Sequence, residues 1–194
     1  MRCMRLRRLF TRPVPAVRGA AVAGLALLAA CSPSLNWREY PMPPTRLQAM
    51  MPCKPEEATR AVPLAGHTVT MHLAGCDAGG ASFLVGWATA EPPDQLGVLL
   101  GAWQDATLAQ AGIPTGPDGP AGKSFVPSGA VALPQSVRLA APGRRPDGQP
   151  LALQAAWFAG TGGATPRAFH AAVYGTPAGD AADTFFAGLR LLPD

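Results

Sequence analysis

The sequence predicts an α+β domain in which an antiparallel β-sheet of about five to six strands is flanked by two main helices. Several short segments alternate apolar and polar residues, which is typical of half-buried strands. Two other segments repeat apolar residues at helical spacing. Short turns separate neighbouring strands and favour antiparallel pairing. Because the order is strands, helix, strands, helix, we expect the helices to cover one or both faces of the sheet.

Four predicted strands precede the first helix. They span residues 46–51, 58–63, 67–73 and 82–88. The second and third strands form a hairpin around residues 64–66. In the third strand Val69, Met71 and Leu73 share one face, as a half-buried strand requires.

The first predicted helix begins near Asp94 and carries one apolar stripe. The stripe has residues at i, i+3, i+4 and i+7, namely Leu96, Leu99, Leu100 and Trp103. Gly112 ends the helix, since glycine is favoured just after a helix C-terminus. A loop rich in glycine and proline follows over residues 112–129.

Three more strands and a second helix complete the predicted domain. The strands span residues 130–139, 151–158 and 167–174, and the helix begins at about Asp180. Pro134 marks a bulge or an edge in the first of these strands. Six aromatic residues fall at inward-facing positions and are predicted to form the core: Phe83, Trp87, Trp103, Trp157, Phe185 and Phe186.

The first thirty residues have the build of an export signal. Six arginines and no acidic residue precede an apolar stretch at residues 20–30. That stretch is too short for a transmembrane helix, which needs about 20 residues. The sequence Leu28-Ala29-Ala30-Cys31 at its end resembles the lipobox of bacterial lipoproteins. The resemblance implies cleavage before Cys31 and a lipid on its thiol; an ordinary signal with a chance cysteine and an uncleaved anchor are the alternatives.

The predicted organisation is a signal peptide at 1–30, a tether at 31–45 and a single domain at 46–194. In the lipoprotein family an Asp after the cysteine holds the protein in the inner membrane. Ser32 stands there instead, so we expect the periplasmic face of the outer membrane, with the inner membrane as the alternative. Trp37 interrupts the tether and is expected to dock on the domain rather than at the lipid interface.

The charge of the mature chain argues against a nucleic-acid partner. The full chain has 16 Lys+Arg and 12 Asp+Glu, but six of the arginines lie in the signal. Ten basic residues then face 12 acidic ones, which leaves a net charge of about −2. The strongly basic surface that nucleic acid needs is therefore not expected.

Cys53 and Cys76 are predicted to form a disulfide, because exported proteins keep such bonds. If Leu64 and Ala65 are the central turn residues of the hairpin, the two cysteines lie directly opposite each other. A free redox pair or a metal-binding pair is the alternative, although the Cys-x-x-Cys spacing typical of such sites is missing.

Three stretches resemble a group of small uncharacterised proteobacterial lipoproteins with a PsbP-like domain. They are MPCKPEEATRAVPLAG at 51–66, GCDAGGA at 75–81 and ADTFFAGLRL at 182–191. The resemblance covers about residues 46–192 and implies an antiparallel sheet between helices. It carries over no catalytic residue, cofactor or metal ligand, and function drawn from fold alone is analogy.

No catalytic or cofactor-binding motif is recognisable in the chain. Gly122-Lys123-Ser124 lacks the earlier glycine of a phosphate-binding loop, since Pro117 stands at that position. His67 and His72 fall on opposite strand faces, and His170 stands alone on the face of Tyr174. We expect each histidine to be at the surface or hydrogen bonded.

These observations favour a non-catalytic envelope domain that binds a protein or a small ligand. Loop 112–129 and turn 142–150, with Arg144 and Arg145, are the expected contact surfaces, because loops carry binding residues more often than cores do. The alternative is an envelope enzyme, such as a hydrolase, whose site is assembled only by the fold.

Cys31 provides the first test. Intact-mass measurement of the membrane form is expected to show a chain that begins at an acylated Cys31, and Cys31→Ala is expected to abolish acylation. A soluble product cleaved after another residue would contradict the prediction.

Overall fold

The computed structural model describes residues 35–161 and 165–193. Cys31 and the predicted signal peptide lie outside these residues. Within them the chain forms ten strands and two α-helices, an α+β fold built on antiparallel pairing. The helices are α1 (Leu96–Gln110) and α2 (Ala181–Ala187). The strands are β1 (Arg38–Pro41), β2 (Leu47–Met51), β3 (Glu56–Leu64), β4 (His67–Ala78), β5 (Ala81–Thr89), β6 (Lys123–Ser124), β7 (Val137–Arg144), β8 (Pro150–Gly160), β9 (Arg167–Gly175) and β10 (Arg190–Leu191).

Seven strands form the large sheet in the order β3-β4-β5-β9-β8-β7-β6. β1, β2 and β10 form a second, smaller sheet in the order β1-β2-β10. The large sheet thus has more strands than the sequence predicts, because the two-residue strand β6 extends one edge. No helix among the described residues is long and apolar enough to cross a membrane.

The large sheet is buried on both of its faces. On the α1 face, Leu99, Leu100 and Trp103 of the helix pack on Trp157 and its neighbours. On the α2 face, the small sheet and α2 cover a second apolar cluster. Phe83 of the large sheet meets Phe185 of α2 there, with ring centroids 5.4 Å apart. All six predicted core aromatics are buried.

One predicted strand begins later than expected. Residues 130–136 do not form a strand, and β7 starts only at Val137. Leu133, Pro134 and Ser136 lie in a turn instead, closed by the Ser136 N–H donating to the Leu133 carbonyl at 2.9 Å. The Ser136 hydroxyl also donates to the Val131 carbonyl. This local bonding competes with strand pairing, as short polar side chains commonly do.

The described part of the predicted tether belongs to the domain. Residues 38–41 form β1, which pairs with β2, so this part of the predicted tether is a strand of the domain. Pairing with β2 supplies the backbone hydrogen bonds that a tether would leave to water. Trp37 docks on the core, with its ring edge-on to Phe83 at 6.2 Å.

The predicted hairpin register was also wrong. Leu64 pairs with His67 and Glu56 with Gly75, so the central turn residues are Ala65 and Gly66. Both have positive φ, at 53° and 83°, which is the geometry of a type I′ turn. This turn shifts the pairing by two residues from the predicted register.

The disulfide between Cys53 and Cys76 is nevertheless confirmed. Cys53 does not lie in the β3–β4 ladder, because β3 begins only at Glu56. The chain bends after β2 and brings the two Cα atoms to 6.0 Å. The bond therefore links the connection between the small and large sheets to β4.

His170 is buried in the core, which the sequence did not predict. Its side chain lies between Trp103 and Trp157, with ring centroids 5.2 and 5.3 Å away. Within the described residues neither ring nitrogen has a hydrogen-bond partner. Burial lowers the pKa of His170 from 6.5 to about 3, because the charged form would lose its hydration.

Loss of the disulfide is expected to destabilise the domain. The bond closes a loop with a sequence separation of 23, worth about 3 kcal/mol in the chain-entropy model. The double variant Cys53→Ala/Cys76→Ala is expected to lower the free energy of unfolding by about that amount in urea denaturation. An unchanged denaturation midpoint would contradict this role.

His170 is expected to make the domain less stable in acid. Between pH 6.5 and about 3 the unfolded chain binds a proton that the folded chain does not, so the free energy of unfolding falls as pH falls. At pH 4.5 this one residue is expected to cost about 2.5 kcal/mol relative to neutral pH.

His170→Phe is expected to flatten that part of the stability profile, measured by urea denaturation from pH 7 to pH 4. His67→Gln removes an exposed histidine and serves as the matched control. Equal pH slopes for His170→Phe and the native chain would show that His170 is not the acid-sensitive group.

Candidate functional site

A row of polar side chains crosses three strands at the end of the large sheet that carries the disulfide. Asp77 of β4 pairs with Ser82 of β5, and Ser82 pairs with Tyr174 of β9. Directly opposed residues in neighbouring strands place their side chains side by side on one face. The three side chains therefore lie together on the α1 face.

Two adjoining cavities open around this row. One measures about 370 Å³ and is bordered by the β4–β5 turn and Arg145. The other measures about 500 Å³ and reaches Lys54 and Glu56. Both are lined by Asp77, Ser82 and Tyr174. We refer to the two cavities together as the disulfide-end groove.

Two glycines shape the groove. Gly75 leaves space between Glu56 and Leu84, its partners on either side. A Cβ at Gly75 would lie 3.0 Å from the Phe83 carbonyl oxygen, so a larger residue would crowd the floor of the groove. Gly79 in the β4–β5 turn has a φ of 58°, a region that favours glycine.

Six polar side chains line the groove without contributing a hydrogen bond or an ion pair to the described part of the fold. In the part of the chain that the structure describes, none of them makes a hydrogen bond or an ion pair with another residue. They are Lys54, Glu56, Asp77, Ser82, Arg145 and Tyr174. Ser82 and Tyr174 are half-buried and the other four are exposed. The groove therefore presents two cations, two carboxylates and two hydroxyls to a ligand.

Tyr174 forms the most buried polar wall of the groove. Burial raises the pKa of its phenol above the ordinary value of 10.0, so the hydroxyl stays protonated and can donate a hydrogen bond. The ring packs against the apolar cluster under α1. Its position is thus set by the core while its hydroxyl borders the groove.

A second groove lies at the β6–β7 edge, where loop 112–129 contributes Lys123, Ser124 and Phe125. Its volume is about 540 Å³. Its central cation is already engaged, since Arg138 donates to Gln154 at 2.9 Å and to Asp183 at 2.7 Å. The same guanidinium lies 4.1 Å from the centre of the Phe186 ring. We therefore interpret Arg138 as a structural residue.

The ring of Trp87 is also in contact with neighbouring side chains. The His72 ring stacks on it at 4.0 Å, and the Arg167 guanidinium lies 5.4 Å from its ring centre. Thr59 and His72 are within hydrogen-bond distance at 3.3 Å. A ligand at this place would have to displace these contacts, so the disulfide-end groove is the better candidate site.

The residues that the sequence singled out end up in different places. Arg145 of turn 142–150 lines the disulfide-end groove, whereas Arg144 bonds to the Gly148 carbonyl within its own turn. Lys123 and Ser124 form the strand β6 and do not begin a helix. Cys53 and Cys76 form the bond beside the groove, and none of the three histidines lines it.

Asp77, Ser82 and Tyr174 were missed as a group. Asp77 is predicted as a turn residue, because its neighbours Ala78-Gly79-Gly80 have turn composition. β4 in fact continues to Ala78. Extending the alternation of Leu73 past Gly75 to Asp77 would have placed Asp77 on the same face as Leu73.

The arrangement suits binding by hydrogen bonds and opposite charges. Lys54 and Arg145 can hold a carboxylate or phosphate, and Glu56 and Asp77 an ammonium group. No group of three or more metal-ligating side chains occurs among the described residues. No protein-family model, curated protein or solved structure matches the chain.

Proposed function

We propose that the chain is a periplasmic lipoprotein whose domain binds a polar ligand or a segment of a partner protein in the disulfide-end groove. The leader and Leu28-Ala29-Ala30-Cys31 support export and lipid attachment at Cys31. Ser32 favours the outer membrane over the inner membrane. The disulfide supports an oxidising compartment.

The observation that carries the proposal is the set of six uncommitted polar side chains around one groove. Polar groups elsewhere on the domain, such as Arg138 and Thr59, are engaged by neighbours. In the groove, by contrast, the charged side chains and hydroxyls have no hydrogen-bond or ion-pair partner among the described residues. Small-molecule sites typically combine a concave surface with a few convergent polar groups of this kind.

The charge pattern favours a ligand that carries both signs. Lys54 and Arg145 lie at different borders of the groove, with the two carboxylates among them. A zwitterion or a short peptide segment meets both requirements, whereas a polyanion would be repelled by Glu56 and Asp77.

We also infer that the fold belongs to the PsbP-like class. The inference is supported by the antiparallel sheet with helices on both faces and by the order strands, helix, strands, helix. An experimental structure whose sheet and two helices superimpose on a PsbP-like domain in the same chain order would test it. A different strand order would contradict it.

Site-specific photocrosslinking in cells tests the binding proposal. A photoreactive amino acid at Asp77, which is exposed and lines both cavities of the groove, is expected to give a discrete covalent adduct. The same amino acid at Val98, which is 53% exposed on α1, serves as the matched control. The mass of the adduct distinguishes a small ligand from a protein.

Tyr174→Phe removes only the hydroxyl from the groove. In the chain with the photoreactive Asp77 position, we expect it to reduce the adduct about three- to tenfold, as expected for one lost hydrogen bond. Equal labelling at positions 77 and 98, or no effect of Tyr174→Phe, would contradict a ligand site in the groove.

A further inference from the structure

The outer edge of β3 is open along the large sheet. β3 is the terminal strand of that sheet and pairs only with β4. Residues 56–61 are all exposed. No backbone hydrogen bond from another described segment reaches the outer side of the strand. Unpaired N–H and C=O groups along such an edge form a template for another strand.

The β3–β4 turn determines which backbone groups point outward. In a two-residue type I′ hairpin the pair that flanks the turn, here Leu64 and His67, is hydrogen bonded. Hydrogen-bonded and non-hydrogen-bonded pairs then alternate along the ladder. Glu57, Thr59 and Ala61 therefore point their N–H and C=O groups outward. Pro63 fits the same alternation, because its missing N–H falls on the open side.

We propose that this edge pairs with β3 of a second copy of the chain, antiparallel and with Ala58 on the two-fold axis. In this register Glu57 of each copy lies opposite Thr59 of the other, and the two pairs exchange four backbone hydrogen bonds. Glu56 of each copy lies opposite Arg60 of the other. The large sheet then continues across both molecules.

The charges along β3 select this register over its neighbours. A pairing centred on Glu57 sets two carboxylates against each other, and one centred on Arg60 sets two guanidinium groups against each other. A pairing centred on Thr59 places Arg60 opposite Ala58 and forms no ion pair. Directly opposed unlike charges stabilise a strand pair, and like charges destabilise it.

The side chains along β3 do not block the proposed pairing with a second β3. The Tyr40 hydroxyl donates to the Glu57 carboxylate on the α2 face, and Thr59 lies beside His72 on the same face. Ala58 at the axis is small, so two backbones can approach there without a clash. The charge self-complementarity of residues 56–60 favours a second copy over an unrelated peptide, which would have to present the same pattern.

Cysteine scanning tests both the partner and the register. Ala58→Cys, Glu57→Cys and Thr59→Cys are made one at a time in the full chain, exported in a bacterial host, and dimers are measured on non-reducing gels. Two residues 58 facing each other form a non-hydrogen-bonded pair with Cα atoms about 4.5 Å apart, within the range that disulfides span. We expect Ala58→Cys to give the most dimer.

A charge swap provides the second arm. In the Ala58→Cys chain, Glu56→Lys is expected to reduce dimer formation about three- to tenfold, because it places a second positive charge opposite Arg60. Adding Arg60→Glu to Glu56→Lys restores opposite charges and is expected to restore the dimer. Peptide mapping of the Cys53–Cys76 bond verifies that each variant is folded.

Three results would overturn the inference. They are no dimer at any of the three positions, most dimer at position 57 or 59, and a charge swap that fails to restore crosslinking. None of them depends on the lipid at Cys31. The three cysteine variants change no residue that lines the disulfide-end groove, so they test the inference separately from the proposed function, whereas Glu56 of the charge swap also borders the groove.

Discussion

The large sheet is apolar on both of its faces, and this constraint organises the rest of the domain. The central strands β5, β9 and β8 place Phe83, Phe158 and Phe169 on one face and Trp157 and His170 on the other. A sheet buried on both sides needs two covering layers. One layer is α1, and the other is α2 together with the small sheet. Among the described residues, the disulfide end of the α1 face and the outer edge of β3 are two places that neither layer covers.

The disulfide-end groove lies where the α1 layer does not cover the large sheet. The apolar residues of the α1 face give way to polar ones one row before the strands end, at Asp77, Ser82 and Tyr174. The Cys53–Cys76 bond fixes the start of β3 beside that row. Lys54 and Glu56 are thereby held at the border of the groove. A covalent link thus positions side chains that the apolar core does not reach.

The alternation of apolar residues predicted the strands and helices that carry the core. Val69, Met71 and Leu73 do share a face, and the stripe from Leu96 to Trp103 does pack on the sheet. The predictions that failed were the hairpin register and the start of β7, each of which depends on the conformation of a single turn. Ala65 and Gly66 adopt left-handed conformations, so the hairpin has a different register from the predicted one. Because residues 133–136 form a turn, β7 begins later than predicted.

The candidate site was harder to predict than the core, because its residues meet only through strand pairing. Asp77, Ser82 and Tyr174 are separated along the chain and come together across three strands. The location of Arg145 in turn 142–150 pointed to this residue but not to its neighbours in the groove. His170 shows a second limit of prediction from sequence. A lone histidine on a strand does not indicate whether its side chain is exposed or, as observed here, buried between Trp103 and Trp157.

The most direct measurement of the central claim is amide hydrogen exchange of the protein in isolated envelope vesicles and after purification. If the disulfide-end groove holds a ligand in the envelope, the amides of residues 77–82 and of the turn at Arg145 will exchange more slowly in the vesicles than in the purified protein, while the exposed face of α1 will not change. Identical exchange at residues 77–82 in the two preparations would contradict the claim.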